Sequence, residues 1–179
     1  MKRSCLHLIL LAALAFPGAV AAQQPGTRML SGWLVLDPGP VDGIGLGGRY
    51  MLPIAPGVLE HPRIRDEFTL ELGADFATYR DTVGVAPTRV HYAWNGLLLA
   101  VGGTWNVWLT PRFALYPKLD LGFWFGSYRD WDGQYGYVRR EYGGLYLQGA
   151  VGLILRFQRM SLRLELGSSL TRLGLGFDI

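Results

Sequence analysis

Two histidines, a serine and a balanced set of charges are the residues of this 179-residue chain whose types and spacing could do chemistry. His61 and His91 do not stand at metal-ligand spacing, and no HExxH motif or glycine-rich phosphate loop occurs. The only cysteine, Cys5, lies in a segment that reads as removed on export, so no disulfide or thiol chemistry is expected. No metal or cofactor is expected either. A serine nucleophile needs a base within hydrogen-bond reach. His91 and Ser127 are the one combination that two adjacent strands could bring to a common rim, both on the outward parity. A lone histidine and serine at a rim read more simply as interfacial residues, and no catalytic residue is assigned.

The charges form a clearer pattern. Arg49, Lys118, Arg156, Arg163 and Arg172 alternate with apolar neighbours, and so do Glu71, Asp75, Asp120, Glu165 and Asp178. The two signs nearly balance, as charges must when they are enclosed and have to be paired. A second cluster spans Arg129–Glu141, where Trp131, Tyr135, Tyr137, Arg139 and Arg140 mix aromatic and guanidinium groups. That mixture suits recognition of a polysaccharide, a protein or a lipid phosphate, and a solvated loop accounts for it equally.

The elements that must position these residues begin after a leader. Lys2 and Arg3 precede an apolar run from Leu6 to Phe16, then small residues to Ala22. Residues 1–22 therefore read as a signal peptide and residues 23–179 as one domain. Removing Lys2 and Arg3 takes the formal charge from +3 to +1, which argues against a nucleic-acid partner. Half the residues are apolar and 25 are glycine, which excludes ordinary disorder and fits a helical protein poorly.

From Gly43 onward the sequence alternates with a period of two. Phe68, Leu70, Leu72, Ala74 and Phe76 alternate with Thr69, Glu71, Gly73 and Asp75; Leu173, Leu175, Phe177 and Ile179 alternate with Gly174, Gly176 and Asp178. These are strands with one apolar and one mixed face. Eight are expected, at about 29–36, 44–52, 67–79, 90–109, 113–128, 143–157, 161–168 and 171–179. Across Thr110-Pro111-Arg112, Leu109 facing Phe113 would keep both odd faces apolar. The uncharged stretch Tyr92–Thr110 is long enough for a membrane helix, but its glycines and asparagines make it a poor one.

Alternation alone does not say which face is inside. Glycine recurs on the mixed face, at Gly45, Gly47, Gly73, Gly102, Gly122, Gly152, Gly174 and Gly176. It relieves crowding inside a narrow barrel, whereas on a solvent face it only weakens the strand. Trp105, Trp108 and Phe113 near one end, and Tyr79, Tyr92, Trp94, Phe125 and Tyr128 near the other, read as two interfacial girdles. The length accommodates about eight transmembrane strands, enough for a barrel that side chains fill and too few for a wide aqueous pore. The expected fold class is all-β, an antiparallel up-and-down transmembrane barrel.

The chain resembles the small eight-stranded outer-membrane β-barrel proteins of Gram-negative bacteria over nearly all of residues 23–179. The resemblance rests on the leader, the alternating strands and a last strand that runs to the chain end. Leu173-Gly174-Leu175-Gly176-Phe177-Asp178-Ile179 is similar to the signal read by the barrel assembly machinery, departing from it by ending on Ile179. The segment Phe113–Gly122 also looks like a strand of such proteins. The resemblance implies an outer-membrane location, lipid contact and the assembly machinery as a partner during biogenesis. With the N-terminus in the periplasm, Thr110–Arg112 and Gln158–Met160 are periplasmic, and 80–89 and 129–142 lie outside. The 53–66 link is long for a periplasmic turn, and 167–171 is short for an outer loop. The expected function is non-enzymatic: a barrel plugged by interior charge pairs, structural or interacting through outer loops with a polysaccharide or protein. The alternatives are a narrow conduit for small or apolar solutes, a soluble periplasmic lipocalin-like binder, and a lipid-modifying enzyme using His91 and Ser127.

Overall fold

Alternating side chains and tight turns close the chain into one antiparallel barrel. In the computed structural model its strands are β1 (Met29–Asp37), β2 (Gly43–Pro56), β3 (Arg65–Val83), β4 (Val90–Thr110), β5 (Phe113–Asp132), β6 (Gly136–Phe157), β7 (Met160–Gly167) and β8 (Thr171–Asp178). Each pairs with its sequence neighbour, and β8 pairs back onto β1 from Leu36↔Thr171 to Met29↔Asp178. The structure describes residues 27–37, 43–59, 61, 64–83, 90–132 and 136–179, without the side chains of 37, 79–83, 90–92, 128–132, 136–140 and 142. The expected signal peptide, 1–22, lies outside the described residues. Tyr92–Thr110 is strand, and no described helix is long and apolar enough to cross a membrane.

The eight expected strands are all present, and the differences lie at their ends. β2 continues past Leu52 to Pro56 through an irregularity between Pro53 and Ala55. Proline cannot donate to a ladder, so a bulge is where a strand tolerates it. Residues 57–59, at the start of the link that follows, are folded onto Asp66. That carboxylate accepts the backbone N–H groups of Val58 at 2.9 Å and Leu59 at 3.1 Å, and the Trp105 indole N–H at 2.7 Å. The start of this long link is thereby hydrogen-bonded to the base of β3.

At the β4–β5 turn Thr110 pairs with Phe113, and the expected Leu109–Phe113 pair does not form. A bulge between Trp108 and Thr110 absorbs one residue, and Val107↔Leu115 restores odd-to-odd pairing below it. The Thr110 hydroxyl accepts the N–H of Phe113 at 3.0 Å and fixes the turn.

Strand lengths are unequal. β3 to β6 have 19, 21, 20 and 22 residues, against 8 each for β7 and β8. The segments expected as outer loops are therefore partly strand. β3 and β4 pair up to Val83↔Val90, and β5 and β6 up to Asp132↔Gly136.

Glycine on the inner face is a packing requirement. A Cβ on Gly174 would stand 2.6 Å from atoms of the Trp33 ring, whereas a Cβ on outward-facing Gly103 would meet nothing within 4 Å. Gly174→Val is accordingly expected to destabilise the barrel by about 1–3 kcal/mol through overpacking, with Gly103→Val close to neutral. Urea midpoints of the two variants refolded in lipid vesicles check this.

Candidate functional site

The barrel has its polarity reversed relative to a soluble protein. Leu46, Leu72, Phe76, Leu99, Leu119, Leu121, Phe125, Leu147, Val151, Leu175 and Phe177 are exposed on the outer wall. Arg49, Glu71, Asp75, Lys118, Asp120, Arg156, Arg163, Glu165 and Arg172 are buried inside. The lipocalin-like reading needs the opposite arrangement and is corrected here: no soluble binding barrel lines its cavity with charge and offers leucine to water on every strand.

Eight of the interior charges form one connected set. Arg49 bridges Asp75 at 2.5 Å, and Arg172 bridges Asp75 at 3.0 Å and Asp120 at 3.4 Å while also bonding Glu165. Lys118 joins Glu71 at 2.6 Å, Glu165 at 3.1 Å and Asp120 at 3.3 Å. Arg163 pairs with Glu71 at 2.6 Å. Its guanidinium lies 4.7 Å from the Trp33 ring centre and 5.2 Å from that of Tyr116, a cation–π arrangement that serves a buried arginine in place of water. Arg156 and Asp178 form a separate pair toward the end where the β4–β5 and β6–β7 turns lie, with Asp178 half-buried.

The sequence pattern missed Glu67 as a member of the interior. It is buried on the same face as Glu71 and Asp75, accepting from the Trp108 indole at 3.2 Å and from Asn106 at 3.5 Å. Its odd parity within 65–83 was the available signal. Thr69 and Thr104 hydrogen-bond to each other just beyond it.

Two aromatics expected in the girdles are inside instead. Trp108 packs against the inner cluster Ala114, Tyr116 and Ile154. Trp94 lies edge-on to Trp124 at 5.2 Å, and Trp124 in turn packs on Trp33, Val35, Leu98, Tyr146 and Leu170. The even positions of β4 face inward, so rim location alone was a poor guide to which way a tryptophan points. The side chains of Tyr79, Tyr92 and Tyr128 lie outside the described residues. An aromatic and aliphatic cluster thus shares the interior with the charge network.

The proposed catalytic neighbours are not brought together. Ser127 pairs with Asn95 and His91 with Trp131, four register steps apart, or about 13 Å along a strand. Among the described residues no group of three or more His, Cys, Asp or Glu side chains converges. In the expected recognition loop, Trp131 pairs with Tyr137, Arg129 with Arg139 and Tyr128 with Arg140, so the segment is a β-hairpin. Tyr135 lies outside the described residues, as do the side chains of Trp131, Tyr137, Arg139 and Arg140.

Comparison with solved structures bears on the fold. A chain from the de novo design of transmembrane β-barrels superposes with a TM-score of 0.51 at 16% identity, covering 89% of this chain and all of that one. This chain has the fold of a small transmembrane β-barrel. Two natural proteins are also similar. Ail, the attachment invasion locus protein of Yersinia pestis, has 11% identity, a TM-score of 0.48, and coverage of 87% of this chain and 100% of that one. The N-terminal β-barrel domain of Pseudomonas aeruginosa OprF has 13% identity, a TM-score of 0.40, and coverage of 88% and 100%. No family pattern and no curated protein matches the chain. The transmembrane barrel therefore stands on its fold and on its inside-out polarity.

Proposed function

We propose that residues 23–179, freed of a signal peptide at 1–22, form an integral outer-membrane barrel that is non-enzymatic and closed to solutes. It acts as a rigid anchor for its long outer hairpins. The observation that carries this reading is the filled interior: a paired charge network around Lys118 and Arg172, together with the cluster of Trp33, Trp124 and Tyr146. An eight-stranded barrel is wide enough for side chains and little else. Lipid is the partner of the outer wall, and the barrel assembly machinery acts on the C-terminal strand Leu173–Ile179 during insertion. A polysaccharide or protein is the candidate ligand of the β5–β6 hairpin, through Trp131, Tyr135, Tyr137, Arg139 and Arg140.

The full chain expressed in a Gram-negative host is expected to pellet with carbonate-washed outer membranes and to run on SDS gels as a band that shifts on boiling. Purified protein in planar bilayers is expected to give no steady current. A soluble band without a shift would overturn the membrane assignment. A stable current lost in Lys118→Ala would favour the narrow conduit instead.

A further inference from the structure

The eight connected charges of the interior are four cations and four carboxylates, and Arg156 and Asp178 match each other. Glu67 is left over. It is buried, at 8% exposure, and no cation among the described residues forms an ion pair with it. It accepts two hydrogen bonds from neutral donors, the Trp108 indole at 3.2 Å and the Asn106 amide at 3.5 Å. Trp108 also carries the Arg156 guanidinium over its ring, 5.8 Å from the centre, but Asp178 already meets that charge. A buried carboxylate held only by neutral donors is unbalanced.

The strand ladder gathers oxygen atoms around it. Glu67 pairs with Asn106 and Thr69 with Thr104, two successive inward-facing pairs of β3 and β4. The Asn106 amide nitrogen reaches Glu67 and Thr69 alike, so its carbonyl oxygen belongs to the same cluster. That oxygen is buried on a fully enclosed side chain and accepts from no donor among the described residues. Buried acceptors without a donor are few in folded proteins, and a bound ion is one of the things that satisfies them. The Thr69 and Thr104 hydroxyls bond each other and retain lone pairs.

A set made of carboxylate, amide and hydroxyl oxygens suits a hard cation. Charge fixes the valence. One carboxylate is neutralised by one positive charge, whereas a divalent ion would leave an excess charge in the interior. We propose that Glu67 and the Asn106 carbonyl bind one alkali-metal cation, sodium or potassium, with the Thr69 and Thr104 hydroxyls as further ligands. Asn106 lies near the end of β4 at Thr110, so the ion enters from the mouth at the β4–β5 turn. The inference goes beyond the proposed function and needs only the closed barrel, whatever its orientation in a membrane.

The test is urea unfolding of the full barrel, refolded in a neutral detergent, in sodium, potassium or N-methylglucamine chloride at one ionic strength. A cation that binds only the folded barrel lowers the unfolding constant about tenfold at ten times its dissociation constant. Saturable stabilisation by sodium or potassium over N-methylglucamine is expected, and its loss in Glu67→Gln. The two alkali arms tell which ion the site prefers. The band that shifts on boiling verifies that the variant is folded. Equal stability in all three salts, or an alkali effect that survives in Glu67→Gln, would overturn the inference. Stabilisation by calcium in place of the alkali ions would overturn it too, since the site would then be divalent. If Glu67→Gln does not refold, the sodium NMR signal of the wild-type sample decides. Broadening by the barrel that added potassium reverses supports the site, and no broadening overturns it.

Discussion

Arg172→Met is expected to cost about 3–5 kcal/mol of folding stability, because breaking one partner out of a buried network leaves uncompensated charge. Arg172 is fully buried and serves Asp75, Asp120 and Glu165 together. Its loss leaves Asp75 to Arg49 alone, and leaves Asp120 and Glu165 to Lys118, which Glu71 also shares. Urea unfolding of the variant in lipid vesicles gives the number directly. A loss below about 1 kcal/mol would mean that water enters the interior and solvates those carboxylates, and the closed-barrel reading would fall with it. Neutralising one acid at the same time, as in Arg172→Met/Asp75→Asn, is expected to recover part of the loss, since one fewer charge is left unpaired.

Leu121→Arg is expected to be nearly as damaging, by about 2–4 kcal/mol, for the opposite reason. Leu121 is half exposed on the outer face of β5, near the middle of the apolar positions Phe113 to Phe125. A guanidinium there meets hydrocarbon, whereas Phe125→Arg, closer to the polar boundary at Ser127, is expected to cost only ~0–1 kcal/mol. The depth dependence is the decisive feature. On a soluble barrel both substitutions would be placed in water and both would be near neutral. Equilibrium unfolding of the pair in vesicles therefore separates a membrane wall from a solvated one with the same fold.

Much of this arrangement was legible in the residues. Period-two alternation located all eight strands, because successive side chains on a strand point to opposite faces whatever surrounds them. The same parity grouped Arg49, Glu71, Asp75, Lys118, Asp120, Arg156, Arg163, Glu165, Arg172 and Asp178 on one face before any contact was known. Glycine on that face pointed to crowding, and Gly174 against Trp33 shows the crowding directly.

Other features were decided only when the strands closed on one another. Which acid meets which base is a matter of register and barrel geometry. Arg163 reaches Glu71, 92 positions away in sequence, and no local pattern encodes that pairing. The ends of β3, β5 and β6 were read as loops because their polar residues resemble loop composition, while the ladder continues as long as a neighbouring strand supplies partners. Trp94 and Trp108 were placed by height along the chain when parity controlled their direction. His91 and Ser127 shared a rim in sequence and were separated by register. The sequence by itself determined the strands, their two faces and the polarity of each, since those follow from backbone geometry and side-chain chemistry one residue at a time. The tertiary structure alone decided the ion-pair network and the aromatic cluster, since each is made by residues from three or more strands whose meeting depends on closure.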